Sequence, residues 1–198
     1  MAADKTHLIF GYGSWISKKG RSPSGVDQKV WPARVSGFRR FWNAYCDLGF
    51  CVLGVTTAPE ASCNGVVVAV SNDELPEFDK RETLYRKVVL DSASVEYLGE
   101  HAPSDTEIWI YVPHRIVIPT ASVPLLQSYV DVALSGCLEI SESFAAEFIT
   151  STVGWDKPWI NDRGHEQYQR WLQSSDERAK VDSLLKQHCA EGFSQRYP

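Results

Sequence analysis

Apolar residues run together at Leu8-Ile9-Phe10 and stop at Gly11-Tyr12-Gly13-Ser14. The pattern predicts a buried strand over residues 7–12 that ends in a loop. Residues 30–45, rich in Val, Phe and Trp, predict one or two more strands. CVLGVTT at 51–57 and GVVVAV at 65–70 are short β-branched runs, and the intervening 58–62 predicts the turn of an antiparallel hairpin. The pattern changes at Ser71-Asn72-Asp73-Glu74, where capping and acidic residues precede Leu75, Phe78 and Glu82 at spacings of three and four. Pro76 sets the start of this helix nearby, because an interior proline would lose a hydrogen bond. Strand patterning returns over 85–98 and 107–112.

The last third reads as helical. Residues 122–135 put Leu125, Leu126, Tyr129, Val132 and Ala133 on one stripe, with Gly136 as the expected C-cap. Residues 141–152 repeat the pattern with Phe144, Ala145 and Phe148, and a terminal helix is expected from about His165, after the connector GWDKPWINDRG. Strands first and helices later predict an α+β domain with a mainly antiparallel sheet, drawn as a small β-barrel with flanking helices and a helical C-terminal extension. The 198 residues suffice for one domain with its own core. We divide it into a core over 7–152 and a Trp-rich connector with the C-terminal helix over 153–198.

Composition narrows the function. A net charge of −5 and a single short basic run, Lys18-Lys19-Gly20-Arg21, which reads as a solvated loop, speak against nucleic acid as a partner. No stretch approaches the roughly 18 apolar residues of a membrane span, and the N-terminus lacks a signal peptide's apolar core. A cytoplasmic location is expected, with a removed organelle presequence left open. Five cysteines without a C-x-x-C, and five scattered histidines, suggest reduced thiols and no metal site.

Gly11-Tyr12-Gly13-Ser14 has two readings. One is a plain turn; the other is an anion cradle, with backbone N–H groups and the Ser14 hydroxyl aimed at a carboxylate, and Gly13 admitting a close approach. A dinucleotide fingerprint would need a small residue where Ile16 stands, and a phosphate loop would need Gly-Lys-Ser/Thr.

Phe10-Gly11-Tyr12-Gly13-Ser14, the strand 65–70, then Leu75, Phe78, Asp79, Glu82, Tyr85 and Arg86, then Gln127-Ser128-Tyr129 and Gly136-Cys137, follow in an order that resembles the γ-glutamylcyclotransferase-like family, which includes the glutathione-degrading ChaC type. The resemblance spans about residues 8–150; Gly154-Trp155 and Trp159-Ile160-Asn161-Asp162-Arg163 are similar to one subgroup. It implies an intramolecular reaction, in which the α-amine of a γ-glutamyl group attacks its own γ-carbonyl and leaves as 5-oxoproline. The attached amine or peptide is released from glutathione, a γ-glutamyl dipeptide or a γ-glutamylamine, without cofactor or metal. The resemblance further implies Glu82 as the proton shuttle, Tyr12, Gly13, Ser14 and Trp15 as the loop that holds the γ-glutamyl group, and Tyr129 as a hydroxyl offered to substrate.

The residues alone leave alternatives. Glu82 could pair with Lys80, Arg81 or Arg86 at the surface; burial before an apolar strand would instead raise its pKa toward a working range. Tyr129 could be core, Asp79 could tune Glu82, and Tyr85 and Arg86 read as scaffold. Trp15 stands where most members have Asn or Leu, and Thr83 where many have Gly. The other functional reading is a non-catalytic member that binds a small molecule or a protein, the latter through 155–171 with Trp155, Trp159 and Trp171. The same segment could simply staple the last helix to the core.

Overall fold

The apolar run after Thr6 forms β1 (His7–Gly11), followed by a 3-10 turn at Ser14–Ile16 and the short α1 (Lys18–Arg21), in a computed structural model that describes residues 6–21, 28–46, 49–168 and 174–198. Then come β2 (Val30–Cys46), β3 (Phe50–Val70), α2 (Leu75–Arg81), β4 (Tyr85–Val89), a second 3-10 turn at Ser92–Ser94, β5 (Val95–Tyr97) and β6 (Ile108–Pro113). The C-terminal part adds β7 (Leu125–Leu126), α3 (Gln127–Ile140), α4 (Glu142–Ser151), β8 (Thr152–Val153), β9 (Trp159–Ile160), α5 (Ser175–His188) and α6 (Ala190–Ser194).

The sheet runs β4-β6-β1-β3-β2-β5. β1 lies inside it, with Ile9 opposite Val68 of β3 in antiparallel pairing and opposite Trp109 of β6 in parallel pairing. Leu8, Ile9, Phe10, Val66, Val67 and Val68 are all buried, which explains why these strands read as continuous apolar runs without alternation. α4 packs against β3, and α3 against α4 and the first 3-10 turn.

The structure corrects several expectations. The fold is α+β, but the sheet is open and no barrel closes along this strand path. Closure would bring β4 to β5; instead Asp91 accepts from the Ala93 N–H, forms the second 3-10 turn and sends the short β5 to the far side of β2. The expected hairpin over 51–70 does not form either. Both apolar runs belong to the single strand β3, and both pair with β2, from Val30 opposite Val68 to Cys46 opposite Phe50. Between the pairs Ser36–Ser62 and Phe38–Thr57, β2 has only residue 37 while β3 has 58–61, so the predicted turn is a bulge that bends the ribbon. The strand expected over 85–98 is likewise split into β4, the 3-10 turn and β5.

Among the helices, α3 begins five residues later than the stripe suggested, because Leu125 and Leu126 are used as β7 against Cys51 and Trp159. Gly136 is not a cap. It lies inside α3, where a Cβ would overlap the Ser17 backbone, so its role is to let the helix approach the turn that follows the glycine loop. Ser141 ends α3 and caps α4, accepting from the Phe144 N–H at 3.0 Å. The terminal helix starts at Ser175 rather than near His165, with a Ser174/Glu177 capping box. Before it, the Asp162 carboxylate accepts from the Ser128 N–H at 2.8 Å and the Ser128 hydroxyl at 2.5 Å. This turn holds the connector on the start of α3. Of the basic run read as a solvated loop, Lys18 and Lys19 are exposed but Gly20 and Arg21 are buried in α1. Residues 22–27 and 169–173, the latter with Trp171, lie outside the described residues. No helix among the described residues is long and apolar enough to cross a membrane.

Arg40 joins these layers. Its guanidinium is fully buried and donates to Thr152 Oγ1 (2.7 Å), the Tyr12 carbonyl (3.2 Å), the Asn64 carbonyl (2.7 Å) and Oδ1 (2.9 Å), the Phe148 carbonyl (3.1 Å) and Ser151 Oγ (2.9 Å). It also lies 3.7 Å over the Phe148 ring. The cation meets the C-terminal end of α4, where the helix dipole favours positive charge. Replacing Arg40 by Met leaves several buried acceptors without donors, and the free energy of unfolding falls by at least about 3 kcal/mol in urea titrations. Arg40→Lys does not restore it, since one ammonium cannot reach all these acceptors.

Candidate active site

β1 ends where Gly11 leads into Tyr12, Gly13 and the 3-10 turn at Ser14–Ile16. Two buried arginines hold the carbonyls of this loop. Arg40 donates to Tyr12, and Arg21 Nη1 donates to the carbonyls of Trp15 (2.9 Å) and Ile16 (2.6 Å). Since a trans peptide unit directs its N–H opposite to its C=O, the Gly13 N–H points away from Arg40.

The loop forms one wall of a cavity of about 190 Å³. Glu82, just past the end of α2, forms another wall, and Tyr129 of α3 lies below. Tyr12, Gly13, Ser14, Trp15, Glu82 and Tyr129, far apart in sequence, therefore share one hollow. Glu82 is half-buried, and its Oε1 accepts from Trp15 Nε1–H at 3.1 Å. The indole is held by ring contacts to Phe78 (4.5 Å) and Tyr111 (5.7 Å). Thus Trp15, which sequence reasoning assigned to substrate alone, also orients the carboxylate.

Four phenols surround this carboxylate. Burial, above all, raises the pKa of Tyr12, Tyr85, Tyr111 and Tyr129, and the negative charge of Glu82 adds to the effect at each. All four hydroxyls are therefore neutral donors at physiological pH. Tyr12 donates to the Tyr111 carbonyl (2.7 Å), Tyr85 to the Leu53 carbonyl (3.2 Å) and Tyr111 to Asp79 Oδ1 (2.5 Å). At Tyr129 the backbone amides of Ser14 and Leu53 counter part of the rise in pKa. Tyr129 lines the hollow on the side of α3.

Sequence reasoning missed Tyr111 and treated Tyr85 as scaffold, yet both line the cavity. Tyr85 lies three residues after Glu82, which was the available signal; Tyr111 lies on β6, which only the parallel pairing with β1 brings beside the loop. The Asp79 carbonyl accepts from the Glu82 backbone N–H at 3.2 Å, while its carboxylate serves other partners. It pairs with Lys87 Nζ at 2.6 Å and accepts from Tyr111, which makes it a support of the phenol cluster. Trp159 is buried, and Trp155 packs between Trp42 (5.2 Å) and Trp159 (5.3 Å).

No family model matches the sequence, and no curated protein matches it. Solved structures do match. A structure titled "Gamma-glutamyl cyclotransferase" aligns with a TM-score of 0.57 at 14% identity, over 90% of this chain and 99% of that one. An uncharacterized protein from Homo sapiens aligns at 0.55 and 14% over the same shares, 90% and 99%. YkqA from Bacillus subtilis aligns at 0.55 and 18%, over 76% of this chain and 56% of its own. This chain has the γ-glutamyl cyclotransferase fold.

Within this cyclotransferase fold, Gly13 lies tight against α3: a Cβ there would come within 2.7 Å of the Tyr129 hydroxyl. Gly13→Ala is expected to lower stability by about 1–3 kcal/mol through overpacking. Tyr129→Phe removes the oxygen that the new methyl would strike, so the double mutant loses less than the sum of the single losses. A double-mutant cycle in chemical denaturation should return a coupling of at least about 0.5 kcal/mol.

Proposed function

We propose that this protein is a γ-glutamylcyclotransferase, converting a γ-glutamyl compound to 5-oxoproline and a free amine. The observation that carries the reading is the meeting of Glu82 with the Gly11–Ser14 loop across one small cavity. The fold likeness adds to it.

The chemistry asks little of the protein beyond position and proton transfer. The substrate's α-nitrogen forms a bond to its own δ-carbon, closing a five-membered ring, and the bond from that carbon to the attached nitrogen breaks. One proton must leave the attacking nitrogen and one must reach the departing nitrogen. A single carboxylate can carry it between them, so Glu82 acts first as base and then as acid. Trp15 holds Oε1 of Glu82 and so fixes the carboxylate that meets the substrate. The loop amides and the Ser14 hydroxyl receive the α-carboxylate, and the neutral Tyr129 hydroxyl donates to the carbonyl oxygen as negative charge develops there. Folding a flexible γ-glutamyl chain into the ring-closing shape is mainly entropic work, and a narrow cavity walled by aromatic rings suits it.

Glu82→Gln keeps the shape and removes the proton carrier, so the rate of 5-oxoproline release from glutathione, γ-glutamyl dipeptides or γ-glutamylamines should fall at least about 100-fold. Trp15→Phe keeps the ring contacts but loses the hydrogen bond to Glu82; a loss of about tenfold is expected, equivalent to one bond to a charged group. Normal turnover by the Gln variant would exclude Glu82 from the reaction. Thermal stabilisation by these compounds without any 5-oxoproline would favour a binding role instead.

A further inference from the structure

A second hollow, of about 380 Å³, opens beside the first. The two share Tyr45, Thr83, Leu84 and Tyr85, the segment that directly follows Glu82. Beyond that seam the walls are apolar, formed by Ala44, Pro113, Val117 and Val123, and the far side carries His114 and Arg115. Arg115 is exposed, and no carboxylate among the described residues lies within ion-pair distance of it. The backbone there is held, since the His114 N–H donates to the Leu84 carbonyl at 2.9 Å and Val117 N–H to the Asn43 carbonyl at 2.8 Å. A fixed strand end thus presents an uncommitted cation at the edge of a greasy hollow one segment away from Glu82.

We propose that this second hollow is the subsite for the amine half of the substrate, and that Arg115 selects leaving groups bearing a carboxylate. The inference rests on the cyclisation reading above and deepens it. With the γ-glutamyl group in the first hollow, the scissile bond lies at the Thr83–Tyr85 seam and the departing portion extends into the second. An α-amino acid or short peptide places an apolar side chain against Leu84 and Val117 and its carboxylate toward the guanidinium, which binds planar carboxylates through paired N–H donors. A simple amine has nothing to offer Arg115. The preferred substrates are therefore γ-glutamyl amino acids and peptides with a free C-terminus and not γ-glutamylamines. Thr83, which follows Glu82, lines both hollows.

The test compares γ-glutamylleucine and glutathione, each beside its C-terminal amide, as substrates of the full chain, with 5-oxoproline as the readout. At least one acid should exceed its amide by roughly tenfold or more in kcat/KM, mainly through KM, as expected for one charge-assisted contact. Arg115→Gln should abolish that preference by slowing the acid and leaving the amide within about twofold, with an unchanged melting temperature because the side chain is exposed. Equal use of acid and amide by the unaltered protein would overturn the subsite, as would an Arg115→Gln variant that slows both alike. If none of the four compounds yields 5-oxoproline but a γ-glutamylamine does, the subsite alone falls; if the γ-glutamylamine is inert as well, the cyclisation reading falls with it.

Discussion

A fully buried guanidinium without a buried carboxylate to neutralise it is expensive unless every donor is used, and Arg40 uses its donors on five residues from three parts of the chain. Burial pushes its pKa down from the usual arginine value. The backbone acceptors are the carbonyls of Tyr12 after β1, Asn64 within β3 and Phe148 in the last turn of α4. Buried carbonyls need a donor. Satisfying them from one side chain locks the glycine loop, the central strands and the helical layer into one arrangement. Asn64 extends the lock, donating from Nδ2 to the Phe144 carbonyl at 2.8 Å.

The loop is therefore presented from behind by cations and from the front by phenols. Arg40 and Arg21 hold its carbonyls, while Tyr12, Tyr111 and Tyr129 crowd the side that faces Glu82. The arrangement separates the polarities of the peptide units, with oxygens toward the arginines. A carboxylate in such a setting is surrounded by neutral hydroxyls that cannot ionise, because burial and Glu82 itself oppose a second negative charge. Trp15 fits this logic, since an indole N–H donates without adding charge.

The helical layer has its own polar lock. Arg163 bridges Asp131 (2.7 Å) and Asp182 (2.9 Å), joining α3 to α5, and Arg196 donates to Gln127 at the start of α3. Burial raises the pKa of Asp131 and Arg163 opposes that shift, so this pair matters through its geometry more than through net attraction. The consequence for the site is indirect but concrete: α3 carries Tyr129, and its first turn is held by Asp162 and Arg196 from the C-terminal segment.

Much of this was legible in the chain before folding. Local sterics and periodicity determine β1 and its glycine stop, the β-branched runs of β3, the start of α2 near Pro76 and the cap at Ser141, because each depends on neighbours within a few residues. The order of motifs also pointed to the cyclotransferase fold and to Glu82. What escaped reading depended on distant partners. Whether 58–62 is a turn or a bulge is decided by β2, which takes both apolar runs of β3 as partners. Whether Gly136 ends a helix or admits a neighbour is decided by Ser17. Tyr111 and Arg40 carry no local signature at all, since a tyrosine or arginine in a strand is ordinary until pairing places it. The sequence by itself determined which segments could be strand, helix or loop. Only the tertiary structure decided which polar side chains would be buried together, because hydrogen-bond satisfaction in a core is a property of all contacting segments at once.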